Sequence, residues 1–288
     1  MKQHRSERPT HPATTLLAIA ALLTGAPTGA RADSSPRQPL WELGLGAAAL
    51  RLPDYRGADV AHGYLLPLPY VIYRGNWLRA GRDGARAVLI ETPTWVLDIS
   101  LHASVPVRSH DNPARQGMAN LPATVEIGPQ LSTTLWRAAS GPAHLDLRLP
   151  LRSAITLERS PSTVGQVFTP NLNLDLPHVT AGWNLGLQAG LSYGSRRHHE
   201  HFYGVSAADA TAARPAYQAR GGYAGWQTLA ALSRRYDQTW VGLFMRYDRL
   251  DGAVFADSPL VRQRDALSAG IAFAWVLARS TQEARSDD

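Results

Sequence analysis

The sequence predicts an all-β fold: a single antiparallel transmembrane β-barrel of about 12 strands, an even number, in the outer membrane of a Gram-negative-type bacterium. Three observations carry the prediction. The chain opens with an export leader. Beyond it, no apolar run is long enough to cross a bilayer as a helix. Segments of about 10–14 residues instead alternate between apolar side chains and small or polar ones.

The leader comes first. Met1–Pro12 carries Lys2, Arg5 and Arg8, an apolar run follows over Ala13–Leu23, and Ala30-Arg31-Ala32 forms an A-x-A cleavage pattern. The apolar run is too short for about 30 Å of hydrocarbon and gives way to Gly25 and Pro27. Residues 1–32 therefore read as a cleaved signal peptide, and residues 33–278 as one barrel domain. Residues 279–288 form a polar tail, expected to be loose. The chain has no cysteine, which excludes an acylated lipoprotein or a disulfide-stapled domain.

The leader also explains the charge. Removing its four basic groups (Lys2, Arg5, Arg8, Arg31) and one acid (Glu7) lowers the net charge from +6 to +3. The remaining arginines are scattered among acids and glycines, so no nucleic-acid partner is expected.

The clearest strand lies within 181–193. Trp183, Leu185, Leu187, Leu191 and Tyr193 share one face, while Asn184, Gly186, Gln188, Gly190 and Ser192 share the other. Trp183 and Tyr193 are spaced to occupy opposite interfacial belts. The same alternation returns with Trp95, Leu97, Ile99 and Leu101, with Val125, Ile127, Leu131 and Leu135, with Leu145, Leu147, Leu149 and Leu151, and with Leu267, Ile271, Phe273 and Trp275. The predicted strands are 41–50, 64–73, 76–82, 85–91, 94–104, 123–136, 143–157, 164–176, 180–193, 219–234, 239–250 and 265–277. A soluble sandwich also alternates, but its strands are shorter and its wet face carries more Lys and Glu than the Gly, Ala and Ser found here.

Arg82-Asp83-Gly84, Asp237-Gln238 and Asp251-Gly252 mark turns, and longer connections run over 110–121, 194–216 and 253–265. Tyr64, Tyr70, Tyr73, Trp77, Trp95, Trp136, Trp240 and Trp275 fall near strand ends, where interfacial rings are expected. Pro67 and Pro69 each remove a ladder donor and predict an irregular second strand.

Two stretches carry a family resemblance. The first joins Leu52-Pro53-Asp54-Tyr55-Arg56-Gly57 to the segment Tyr64–Gly75. The second runs from Phe202-Tyr203-Gly204 through Pro215, Tyr217, Trp240 and Arg246–Leu250 to Asp257–Arg262. Together they resemble the MipA/OmpV family across essentially the whole mature chain. The resemblance implies an outer-membrane barrel. It further implies a scaffold joining a murein lytic transglycosylase to a bifunctional penicillin-binding protein. Other members are porin-like or adhesive, and no catalytic residues are established to carry over. The chain departs from the family in ending on a polar tail instead of a terminal aromatic, with Phe273 or Trp275 as substitutes, and in holding Ala213-Arg214-Pro215 before the loop tyrosine.

Few residues suggest chemistry. His198, His199, Glu200 and His201 could approach a metal, but extended neighbours point alternately and no H-E-x-x-H helix is present, so a polar outer loop is expected. Asp98, Ser100 and His102 share a face without a nucleophile elbow, and lumenal polarity explains them. No catalytic, cofactor-binding or metal-binding residues are assigned. The expected lumen-lining polar residues are Asp98, His102, Glu126, His144, Asp146, Arg148 and Arg152, whose opposite charges satisfy one another or set a mild ionic preference. The functional expectation is a non-enzymatic barrel held by outer-membrane lipids and acting as a scaffold. A small passive pore and an adhesion or envelope-stress protein are the alternatives.

Overall fold

The computed structural model describes residues 38–81 and 84–284. The expected leader, Arg82-Asp83 of the predicted turn and the last four residues of the tail lie outside these. The described strands are β1 (Trp41–Pro53), β2 (Ala61–Arg74), β3 (Leu78–Gly81), β4 (Gly84–Glu91), β5 (Trp95–Ser104), β6 (Thr124–Arg137) and β7 (His144–Thr156). They continue with β8 (Thr163–Phe168), β9 (Asn171–Thr180), β10 (Trp183–Gly194), β11 (Gly222–Tyr236), β12 (Thr239–Arg249) and β13 (Asp265–Arg279), with one helix, α1 (Arg196–Tyr203), after β10.

All pairings are antiparallel, and the sheet closes on itself. β1 pairs with β13 at Ala47↔Phe273, and β10 with β11 at Leu187↔Ala230. The strand predicted over 164–176 is broken into β8 and β9 at Thr169-Pro170, because Pro170 has no donor for the ladder. Both pieces lie between β7 and β10, so together they count as one stave and the barrel has 12 strands.

Burial decides what surrounds the barrel. The outward row is apolar and open, with Leu45 63%, Leu65 79% and Leu277 70% exposed. The inward row holds buried Glu42, Asp98, Asp175 and Asp248. That is the inverse of a soluble sandwich and is the arrangement a hydrocarbon solvent demands. Trp77, Trp95, Trp136 and Trp275 are exposed near the short-turn end, with Tyr193 and Trp226 near the other. Tyr70 and Trp240 do not join these belts. They share the faces of Leu68, Ile72 and Phe244, and so pack inside the barrel with ring centroids 6.3 Å apart.

Apart from the connection between β3 and β4, the short turns and both described termini lie at one end, the periplasmic side in barrels of this kind, and the long connections lie at the other. The tail is tied rather than loose as far as Ala284. Leu40 N donates to Gln282 O at 2.8 Å, and Ala284 N to Gln38 O at 2.9 Å. These bonds extend the seam that β1 and β13 make.

Candidate functional site: the lumen and its cap

The lumen has two unlike halves. On the inner faces of β1, β2, β12 and β13, the residues Leu50, Leu68, Tyr70, Ile72, Trp240 and Phe244 form a continuous apolar cluster. Alternation along these strands puts them on one side, and closure of the barrel brings that side together.

The other half is charged. Arg86 Nη1 lies 3.8 Å from Asp98, and Arg152 donates to Ser100 Oγ at 2.9 Å. His102 and Glu126 face each other in register across β5 and β6. Ser100 is thus held by the Arg152 guanidinium, where a nucleophilic serine would be paired with an imidazole.

Toward the turn end, His144, Asp146 and Arg148 meet Asp175, which the sequence reading did not single out. His144 Nε2 lies 3.6 Å from Asp146 and 3.5 Å from Asp175, and Arg148 Nη2 lies 3.8 Å from both. Thr134 Oγ1 donates to Asp146 at 2.9 Å, and Asn173 donates to Asp175 at 2.5 Å. His144, Asp146 and Asp175 are the residues, among those described, whose donor atoms could surround a cation. Arg148 already supplies a fixed positive charge beside both carboxylates.

Sequence reasoning also missed Glu42 and Asp248. Glu42 accepts from Arg74 at 2.9 Å and lies 2.5 Å from Arg235. Asp248 lies 2.9 Å from Arg56 and 2.8 Å from Arg246. The available signal was their inward parity: Glu42 alternates with Leu43, and Asp248 stands four places from buried Phe244.

A cap covers the loop-side mouth. The segment expected as a polar outer loop is α1, started by Ser195, whose hydroxyl accepts from His198 N. Helical geometry turns His199 inward, and it is 1% exposed. Its Nδ1–H donates to Arg220 O at 2.6 Å, and its ring meets Phe255 edge-on at 4.6 Å. The close docking of α1 requires glycine on the barrel rim. A Cβ at Gly165 would strike Ser195 and the His198 backbone, and one at Gly194 would strike the His199 ring.

Tyr55, Val107, Leu121, Tyr203, Leu250 and Leu260 complete an apolar core shared by the loops. Arg214 ties the cap across its width, donating to Ala114 O and Gln116 O, each at 3.0 Å, and to Asp209 O at 2.7 Å. Burial holds the His198 imidazole down at about 4 and also lowers His199 and His201, so these rings are neutral at pH 7. Burial raises the Tyr55 and Tyr203 hydroxyls. Tyr55 donates to Leu260 O and Tyr203 to Arg56 O, both at 2.9 Å. Beneath the cap lies a cavity of about 300 Å³, bordered by His102, Glu126, Arg152, Gln188, Gln227 and His198.

A closed barrel with an apolar exterior, ion-paired lumenal charges and a packed cap defines a transmembrane barrel protein of the outer membrane. The family model described as MltA-interacting protein MipA matches residues 45–277, and the chain belongs to that family, whose place is the outer membrane. No curated protein matches the chain. Among solved structures, a protein titled "CymD monoaromatic hydrocarbon channel" is similar at a TM-score of 0.23 and 10% identity, over 85% of this chain and 68% of that one.

Proposed function

We propose that this protein is a non-enzymatic scaffold. Its barrel anchors it in the outer membrane, and its periplasmic rim holds a murein lytic transglycosylase close to a bifunctional penicillin-binding protein. The observation that carries this reading is the cap. An apolar core fills the loop-side mouth, and below it the lumenal charges answer one another. The turn-side rim is then the surface left for partners in the periplasm, in keeping with the interaction in the family's name. Tethering two enzymes on one rim raises their effective concentration without any chemistry by the scaffold.

The test uses the folded protein in nanodiscs and both purified enzymes from the same cell, with binding read by interferometry. The scaffold reading expects each enzyme to bind, and the pair to bind together. If neither binds, the reading fails. A second reading, a small channel whose cap moves, draws on the arginine-lined cavity under the cap. It predicts discrete conductance steps from the wild-type protein in a planar bilayer, where the scaffold reading predicts silence.

A further inference from the structure

Strand β2 has a full partner on only one side. Toward β1 it pairs from Ala61 to Tyr73, but toward β3 only Tyr73 and Arg74 pair, with Ala80 and Arg79. The β3–β4 hairpin is short. On its far side, β4 pairs with β5 no higher than Arg86↔Ser100. Among the described residues, no β-ladder therefore joins Ala61–Pro69 of β2 to Leu101–Ser104 of β5, and this unladdered stretch of the wall is a wedge between the two strands above the hairpin.

The backbone of β2 suits such an edge. Arg74 N donates to Leu40 O, so the even-numbered residues of the regular β1–β2 ladder turn their amides toward β1. The odd-numbered ones, Pro67 and Pro69 included, turn theirs toward the wedge. Leu65 and Val71 on the outward face are 79% and 47% exposed, which places this stretch in the apolar band. An N–H left unpaired in hydrocarbon costs several kcal/mol. Proline at these two positions removes the donor and leaves a second chain nothing to bond there, so the edge is poorly built for strand addition.

The lumenal cavity reaches the same place. Upper β5 borders it on both faces: Ser100 and His102 turn inward, Leu101 turns outward, and Ala103, only 6% exposed, lines the cavity as well. Leu101 is also 39% exposed at the outer surface, so one side chain borders both cavity and membrane. The packed cap lies over the axial route above.

We propose that the wedge is a lateral doorway through which an acyl chain of a membrane lipid enters the lumenal cavity. The chain would lie against Leu101, Ala103 and Pro67, and its polar end would stay at the level of the interface. This goes beyond the scaffold reading and does not depend on it.

The chain has no cysteine, so single labels can be placed cleanly. A bimane at His102→Cys, inside the wall, is compared with one at Leu187→Cys, on the lipid face of β10, in nanodiscs of phosphatidylcholine brominated along its acyl chains. Heat-shifted gel mobility confirms that each labelled barrel is folded. Comparable quenching at the two positions is the expected result. Quenching at Leu187→Cys alone overturns the doorway. Ser104→Cys, a near-isosteric change on the same lumenal face, repeats the measurement if a label at residue 102 prevents folding.

Discussion

The rings of Tyr203 and Phe255 lie stacked, with centroids 3.7 Å apart and planes 11° from parallel. Tyr203 ends α1, and Phe255 belongs to the connection between β12 and β13, so one contact ties two loops that are far apart in sequence. Ser258 Oγ reinforces it by donating to Tyr203 O at 2.7 Å. The cap therefore has a packed core of its own.

Removing one of these rings should loosen the cap without unfolding the barrel. Phe255→Ala is expected to cost on the order of 3–5 kcal/mol locally, as for other buried aromatics. Proteolysis at Arg196, Arg197 and Arg220 should accelerate, while heat-modifiable mobility persists. Cleavage rates equal to wild type would show that the stack is not what holds α1.

Acid should loosen the cap as well. His198 falls from an ordinary value of 6.5 to about 4 through burial, and His199 and His201 move in the same direction. The folded cap thus binds these protons less tightly than the unfolded one. The stabilisation is whole above about pH 6.5 and is lost as pH falls toward 4, with His198 accounting for roughly 3 kcal/mol at 1.36 kcal/mol per unit. Cap proteolysis, normalised at each pH to an unstructured substrate, should be faster at pH 5 than at pH 8. His198→Gln should flatten that difference, and a profile unchanged by the substitution would refute the assignment.

Glu42 is the test of the buried ion pairs. Glu42→Gln leaves Arg74 and Arg235 around a neutral amide, and breaking a buried pair costs about 3–5 kcal/mol. The temperature of the gel-mobility transition should fall clearly. Asp251→Asn removes the exposed partner of Arg249 and should leave that temperature unchanged. Equal effects from the two substitutions would mean that burial of Glu42 does not matter.

The prolines at the open edge make a separate prediction. Pro67→Ala with Pro69→Ala restores two donors on an unpaired strand edge facing lipid. The variant should form detergent-resistant dimers by edge pairing, detectable on unheated gels. A variant that stays monomeric at wild-type stability would indicate that the edge is already covered.

Pattern along the chain determined most of the barrel on its own. The alternation of Leu267, Ile271, Phe273 and Trp275 with smaller residues located β13 with its first residue at Asp265, and that of Trp183–Tyr193 located β10. Inward parity likewise gave the expectation that Asp98, His102, Glu126, His144, Asp146, Arg148 and Arg152 line the lumen, because a strand's two faces are written in its own residues. Parity says nothing about partners. That Arg152 meets Ser100, that Arg148 stands between Asp146 and Asp175, and that Glu42 joins Arg74 and Arg235 follow from register and closure, which bring distant strands together. The histidine-rich α1 was hidden for a related reason. It has little apolar periodicity of its own, and it is helical because Ser195 caps it and Phe255, Gly165 and Gly194 give it a seat. Pro67 and Pro69 announced an irregularity in β2. Only the tertiary structure could show that the strand itself is regular and that its missing partner is on the far side, since a short hairpin ends below it.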